Sequence, residues 1–209
     1  MQEVADVLRQ ERNSLEQLLY RLTALRALLT GRDEAFLTWA AGEVESARNQ
    51  VREVDLLRAA QVQLLGVYGP NRTIPTLRQL ASLAREPWSG ILRDHHDALT
   101  NMVAEIEVVR YGSAERARQG IRRVADAQTA EERRRGANRR PTRRHVTSPV
   151  ETGPAAHRPK LSTWTPMPFG DDLAPDDGDL TLLTTESAYQ DALTASGKLQ
   201  IPSLIAFLR

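Results

Sequence analysis

Between Val4 and Leu29 the chain repeats a 4-3-4-3 spacing at Val4, Leu8, Glu11, Leu15, Leu18, Leu22, Leu25 and Leu29. That interval brings side chains round to one face of an α-helix and is incompatible with the period of two that a strand requires. Val7, Leu19 and Leu28 widen the stripe, and Glu11 is its one polar break. At ~1.5 Å per residue the seam runs roughly 40 Å, the length of a helix that packs along other helices in coiled-coil fashion. Thr30-Gly31 is expected to stop it, with Gly31 in the left-handed cap conformation.

Asp33 is expected to cap a second long helix. Leu37, Ala40, Val44, Ala47, Val51 and Val54 continue the seam, extended to Leu57, Leu64 and Leu65. A connection this short forces an antiparallel hairpin. The stretch GVYGPNRTIP interrupts it with two Gly and two Pro, and residues 76–83 make a short third helix. Pro87 suits the first turn of another long helix. Trp88, Leu92, His95, Leu99, Met102, Ile106 and Val109 keep the rhythm there, and Ala117, Ile121 and Val124 resume it. Gly112 and Gly120 each weaken that helix by ~1 kcal/mol. The expected fold class is all-α: an elongated antiparallel bundle of three long helices and one short one over residues 1–132. Aromatics at 5% and apolar residues at 41% agree with long helices.

From Arg133 the pattern changes. RRRGANRRPTRR holds seven Arg and no seam, and the following residues are rich in Pro, Asp, Thr and Gly. Residues 133–178 are therefore expected to be a flexible linker. Order is expected to return at Asp179, a capping residue, and to last through residue 209. Charge follows the same division. Residues 1–144 carry 24 Lys and Arg against 19 Asp and Glu, whereas residues 145–209 carry 4 against 8. Opposite charges on one chain favour their meeting.

The tail ends on Leu204, Ile205, Phe207 and Leu208, after a helical stripe of Leu182, Leu183, Tyr189, Ala192, Leu193 and Leu199 broken by Pro202. Chain ends fray unless they dock, so this segment is expected to lie on the bundle as an amphipathic helix in a groove. Its binding face is read as Leu182, Tyr189, Leu193, Leu199, Leu204, Ile205, Phe207 and Leu208. The expected groove is on the helix from Pro87 to Val124, at Leu99, Met102, Val103, Ile106 and Val109. Those five residues suit the bundle core equally well; Met102 has the flexibility that an adaptable surface needs.

Little else points to chemistry. His95-His96-Asp97 resembles a metal site, but adjacent helical residues point ~100° apart and cannot chelate one ion together. DLAPDDG fails as a calcium loop, because aligning Gly178 with the loop glycine puts Leu173 and Thr184 where carboxylates are required. There is no phosphate-binding loop and no nucleophile motif, so no enzyme activity and no cofactor are expected. The arginine run lacks interleaved aromatics, so no specific nucleic-acid binding is expected. Tyr68 and Tyr111 read as turn or helix-surface residues. With no cysteine, disulfides and thiolate metal sites are excluded, and a reducing cytoplasmic setting is permitted. The start, MQEVADVLRQER, lacks the apolar core of a secretory signal, and no run approaches eighteen apolar residues, so no membrane insertion is expected.

Two stretches of the chain carry family resemblances. DVLRQERNSLEQLLYRL, REVDLLRAAQV, TLRQLASLAREPWSGIL and HHDALTNMVAEIEVV, within residues 3–127, resemble the FlgN-type flagellar export chaperones. The resemblance implies a cytoplasmic all-α chaperone that shields the C-terminal helix of a hook-filament junction protein and delivers it to the type III export gate. Separately, Ala188, Tyr189, Gln190, Ala192 and Leu193, then Ser203, Leu204, Phe207 and Leu208, resemble the AYQAAL-type helix and SL-x-x-FL finish of FlgL-type hook-associated proteins. Together they imply a chaperone fused, naturally or by engineering, to its client's C-terminal segment over residues 179–209. A linker of this length would hold the tail at roughly millimolar effective concentration. The family often ends in a Tyr-Gly or Tyr-Asp segment for contact with the gate; here the arginine run stands in that place, and Tyr111 lies too early. The alternatives are a structural helical protein with a self-docking regulatory tail, and a nucleic-acid-associated protein acting through residues 133–144.

Overall fold

The structure, a computed structural model, describes residues 1–31, 33–66, 74–138, 177–197 and 201–209. Helix α1 spans Gln2–Gly31, and a 3-10 turn at Glu34–Phe36 leads into α2, Leu37–Leu64. The short α3 (Leu77–Leu83) is followed by the long α4 (Trp88–Asn138), then α5 (Asp177–Ala195) and α6 (Pro202–Leu208). The fold is all-α, with no strand among the described residues.

All eight positions of the first stripe are buried, from Val4 to Leu29. This face of α1 packs along both α2 and α4. Helix α2 returns antiparallel to α1: Arg21 pairs with Glu43 at 3.2 Å near one end, and Arg58 with Glu11 at 3.0 Å near the other. Helix α5 also packs along α2 and α4, whereas among the described residues neither α1 and α5 nor α2 and α4 run side by side. The cross-section is therefore a square with α1 and α5 at opposite corners. Helix α5 runs parallel to α2, since Glu34 meets Tyr189 and Arg48 meets Ala195. It runs antiparallel to α4, since Gln128 meets Glu186 and Arg110 meets Ser196. Helix α6 continues the line between α2, α3 and α4. One apolar core joins Leu8, Leu15 and Leu18 to Val44, Val51, Leu99 and Ile106, and on to Tyr189, Ala192 and Leu204.

Several local expectations are corrected. Gly31 stays within α1, and the left-handed conformation is taken instead by Gly66, with φ 62°, just after α2. Asp33 makes no side-chain cap; its backbone N–H donates to Leu28 O at 3.2 Å and its carbonyl accepts from Phe36 N–H at 3.3 Å, closing one helix and opening the 3-10 turn. The α2 seam holds from Leu37 to Val54 but then passes to Arg58 and Val62, leaving Leu57 50% and Leu64 76% exposed. Steps of four from Val54 keep to the inner face, and the step of three toward Leu57 leaves it. Helix α4 is continuous through Gly112 and Gly120, and it runs on to Asn138, six residues into the stretch read as linker. At 51 residues it is about 75 Å long. The remaining linker residues 139–176 lie outside the described residues. Asp179 falls in the first turn of α5, which begins at Asp177.

The short third helix and a final helix opened by Pro202 are found where they were expected. Thr76 opens α3 with a capping box, its Oγ1 accepting from Gln79 N–H at 3.3 Å while Gln79 Oε1 accepts from Thr76 N–H at 2.9 Å. Pro202 opens α6, as its fixed φ favours. Tyr111 lies on the surface of α4, and Tyr68 lies outside the described residues. Among the described residues no helix is long and apolar enough to cross a membrane.

The shifted seam has a direct consequence for stability. Leu15→Ala, which empties a fully buried position, is expected to cost about 2–5 kcal/mol. Leu57→Ala, on the solvent side of α2, is expected to stay within about 0.5 kcal/mol of the parent. Urea unfolding followed by circular dichroism measures both; a Leu57 variant as damaging as the Leu15 variant would contradict this register.

A candidate helix-binding groove between α2 and α4

Because α1 lies between α2 and α4, those two helices stand apart on the opposite side and leave a channel, which α5 and α6 fill. Small residues let α5 settle deeply. Ala188, Ala192 and Ala195 form its buried face, and Ala41 and Gly42 of α2 line a cleft with Asp191, Thr194 and Ala195.

Among the described residues of α5, the one large side chain that is fully buried is Tyr189, 1% exposed. Its ring lies flat against Gly120 of α4: a Cβ placed on that glycine would sit 2.2 Å from the ring's Cδ1 and Cε1. The Tyr189 hydroxyl donates to Glu34 Oε1 at 2.9 Å and accepts from Arg123 Nη2 at 3.4 Å. The Arg123 guanidinium also lies 6.0 Å from the ring centroid, within cation–π range. Burial, reinforced by the Glu34 carboxylate that accepts the proton's hydrogen bond, holds the phenol above its usual pKa. Leu182, Thr185, Val124 and Ala127 line an open cleft beside this socket.

Two turns further on, α5 ends, and its last carbonyls lack partners within the helix. Arginines from both walls reach them. Arg48 Nη1 of α2 donates to Ala195 O at 3.3 Å and Thr194 O at 3.4 Å, while Glu45 holds the same nitrogen at 2.7 Å. Arg110 Nη1 of α4 donates to Ser196 O at 3.3 Å and is steadied by Glu107. Positive charge at a helix C-terminus also opposes the negative end of its dipole. Gly197 then folds back, its N–H donating to Thr194 O at 2.9 Å; a Cβ there would sit 2.8 Å from that oxygen.

Helix α6 is held by Arg58, a buried cation on α2. Its Nε lies 3.0 Å from Glu11 of α1, it pairs with Asp55, and its Nη2 donates to Ser203 Oγ at 3.0 Å. The guanidinium stacks 4.5 Å from the Phe207 ring centroid. Glu11 is fully buried, and the loss of hydration outweighs the attraction of Arg58, pushing its pKa up from 4.5 to about 7. At the far end, His96 Nε2 donates to Leu208 O at 3.1 Å, and its Nδ1 lies 2.9 Å from Asp97. Neighbouring His95 is buried without a partner for Nδ1; burial, then Arg12 and Arg9, lower its pKa. Among the described residues no three His, Asp or Glu side chains converge on a metal site.

The structure places the expected binding residues unevenly. Tyr189, Leu204 and Phe207 are buried; Leu182, Leu193 and Leu208 are half-buried against the core; Ile205 lies at the surface. Leu199 lies outside the described residues. On the body, Leu99, Ile106 and Val109 are buried in the shared core, and Met102 and Val103 are half-buried against it. From His96 at Leu208 to Arg110 at Ser196, this stretch of α4 faces the end of the tail. The α5 contacts fall further along α4, at Gly120, Arg123 and Gln128.

The residues that the sequence reading missed are the polar ones: Glu34, Arg48, Arg58, His96, Arg110 and Arg123. One signal was available. Glu11 breaks the α1 stripe, Arg58 falls four residues past Val54, and an antiparallel hairpin brings the two together.

Folding raises the affinity of Glu11 for a proton, so its ionisation opposes the folded state. The stabilisation that its neutral form provides is complete below about pH 4.5 and lost as pH rises through about 7. The urea midpoint is expected to fall between pH 5 and pH 8, and Glu11→Gln is expected to flatten that slope. A Gln variant with an unchanged slope would place the titration elsewhere.

No family model, curated protein or solved structure matches this chain.

Proposed function

We propose that residues 1–138 form a flagellar export chaperone of the FlgN type, and that α5 and α6 are the C-terminal segment of a FlgL-type hook-associated client held in its groove. The observation that carries this reading is the seat of the tail. Its two helices lie along the α2–α4 channel, Tyr189 is 1% exposed, and body side chains grip the terminal carbonyls of both helices. A groove that supplies partners to the ends of a foreign helix suits a segment that must fold on arrival, since it replaces the water that the terminal carbonyls give up on docking. The motif resemblances of the two parts point the same way.

On this reading the chaperone works by cover. The client's apolar face, free in solution, would seek its own assembly partners; laid in the groove it is out of reach. The tail folds as it binds, and its linker keeps it close. The setting is the cytoplasm, where the client waits for the export gate. The arginine stretch stands where the family carries its gate segment, so this chain lacks the usual gate contact. No specific nucleic-acid binding, membrane insertion or catalysis is involved.

A second reading has one observation in its favour. Arg58 bridges Glu11 of α1 and Ser203 of α6, so the tail shares its core with the body. A tail that is a fixed fourth corner of the bundle would serve a structural, self-contained protein.

Cleavage separates the two. With a protease site placed within residues 139–176 of the full chain, the cut fragments should co-elute by size exclusion. Labelled peptide 177–209 should then exchange into the body, with the α1–α2 hairpin still helical. A body that unfolds when the tail leaves, or that takes up no peptide, would overturn the chaperone reading.

A further inference from the structure

Resting on that reading and deepening it, we propose that the groove selects its client helix by a tyrosine seated on Gly120, at a fixed distance before the helix's last carbonyls. Two contact points define the selection, and both belong to the body. The first is the socket. Gly120 is the floor, and any side chain there would occupy the space of the Tyr189 ring, since even a Cβ would lie 2.2 Å from it. Glu34 and Arg123 sit where the phenol oxygen arrives, at 2.9 and 3.4 Å. Phenylalanine would fill the floor and leave Glu34 without its donor; leucine or alanine would leave the floor empty. The second point is the pair of arginines. Arg48 and Arg110, on opposite walls, converge on the carbonyls of residues 194–196.

Those carbonyls lie five to seven residues past the tyrosine, so a helix satisfies both points only if it ends within two turns of its tyrosine. Between the points, the walls approach the face bearing Ala188, Ala192 and Ala195, all buried. The partner chemistry follows: an amphipathic peptide helix reading A-Y-x-x-A-x-x-A, closed by a small residue and glycine. This rule excludes most amphipathic helices, which carry large residues on the face that the groove admits only as alanine.

The test uses the full-length chain and amide hydrogen exchange, read separately for residues 180–196 and for α1 and α2. Gly120→Ala is expected to lower protection of 180–196 about ten- to a hundredfold, the range for overpacking a filled site, with α1 and α2 unchanged. Gly136→Ala, on the same helix with nothing within 4 Å of its added carbon, controls for helix propensity and should leave the tail's protection as it was. Tyr189→Ala should also open the tail, and the Gly120→Ala/Tyr189→Ala pair should lose less than the two single losses combined, because the methyl enters space vacated by the ring. One alanine inserted between Leu193 and Thr194 turns the terminal carbonyls by about 100° relative to the tyrosine and should open the tail with the socket intact. Unchanged protection in Gly120→Ala, or strict additivity in the pair, would overturn the selection rule and leave the chaperone reading standing. Loss of protection in α1, α2 and α5 together would instead make the tail a strut of the fold and overturn both.

Discussion

The position of α1 between α2 and α4 is the constraint on which the rest depends. A helix with one broad apolar face can hold two neighbours, and α1 holds α2 and α4 along most of its length. The two held helices then expose apolar flanks to a channel that neither can close, since among the described residues they do not run side by side. Helices α5 and α6 cover those flanks. The groove is thus a product of bundle geometry, and its emptiness without the tail would leave a long apolar surface in water.

Polar side chains decide how the tail sits. Apolar contact alone is non-directional and would permit α5 to slide or turn. The Tyr189 hydroxyl, the carbonyls of residues 194–196, Ser203 and the carbonyl of Leu208 each meet a named donor or acceptor on the body, spaced along the whole groove. Each is a directional contact, buried at Ala195 O and part-buried elsewhere, and a shifted helix would lose it. Arg58 is the deepest of these. It pairs with a buried carboxylate on α1 and at the same time reaches α6, so the seat of the final helix is tied to the first.

Much of this was legible in the sequence and some was not, for reasons particular residues show. The stripe from Val4 to Leu29 was readable because burial on one helical face leaves a period that nothing else imitates. The break in α2 was misread: Leu57 and Leu64 are apolar but outward, and Arg58 is charged but inward, because a buried charge paired across a hairpin looks on paper like a surface residue. Gly120 read as a weak point in a helix; its purpose is visible only once the Tyr189 ring lies on it. Asp33 looked like a side-chain cap, but the 3-10 turn it opens carries Glu34 to the tyrosine, a task no local pattern announces.

By itself the sequence determined that the chain is helical, where its long helices lie, that the first two form a hairpin, and that the terminal segment needs an apolar surface to dock on. These follow from local periodicity and from turn chemistry, which act over a few residues. Tertiary structure alone decided which side of the bundle receives the tail, that α5 lies opposite α1, and which side chains read it. Those outcomes depend on residues more than a hundred positions apart in the chain, such as Glu34 with Tyr189 and Arg48 with Ala195. Pairings of that kind leave no period in the sequence, because they are fixed by how far one helix holds two others apart.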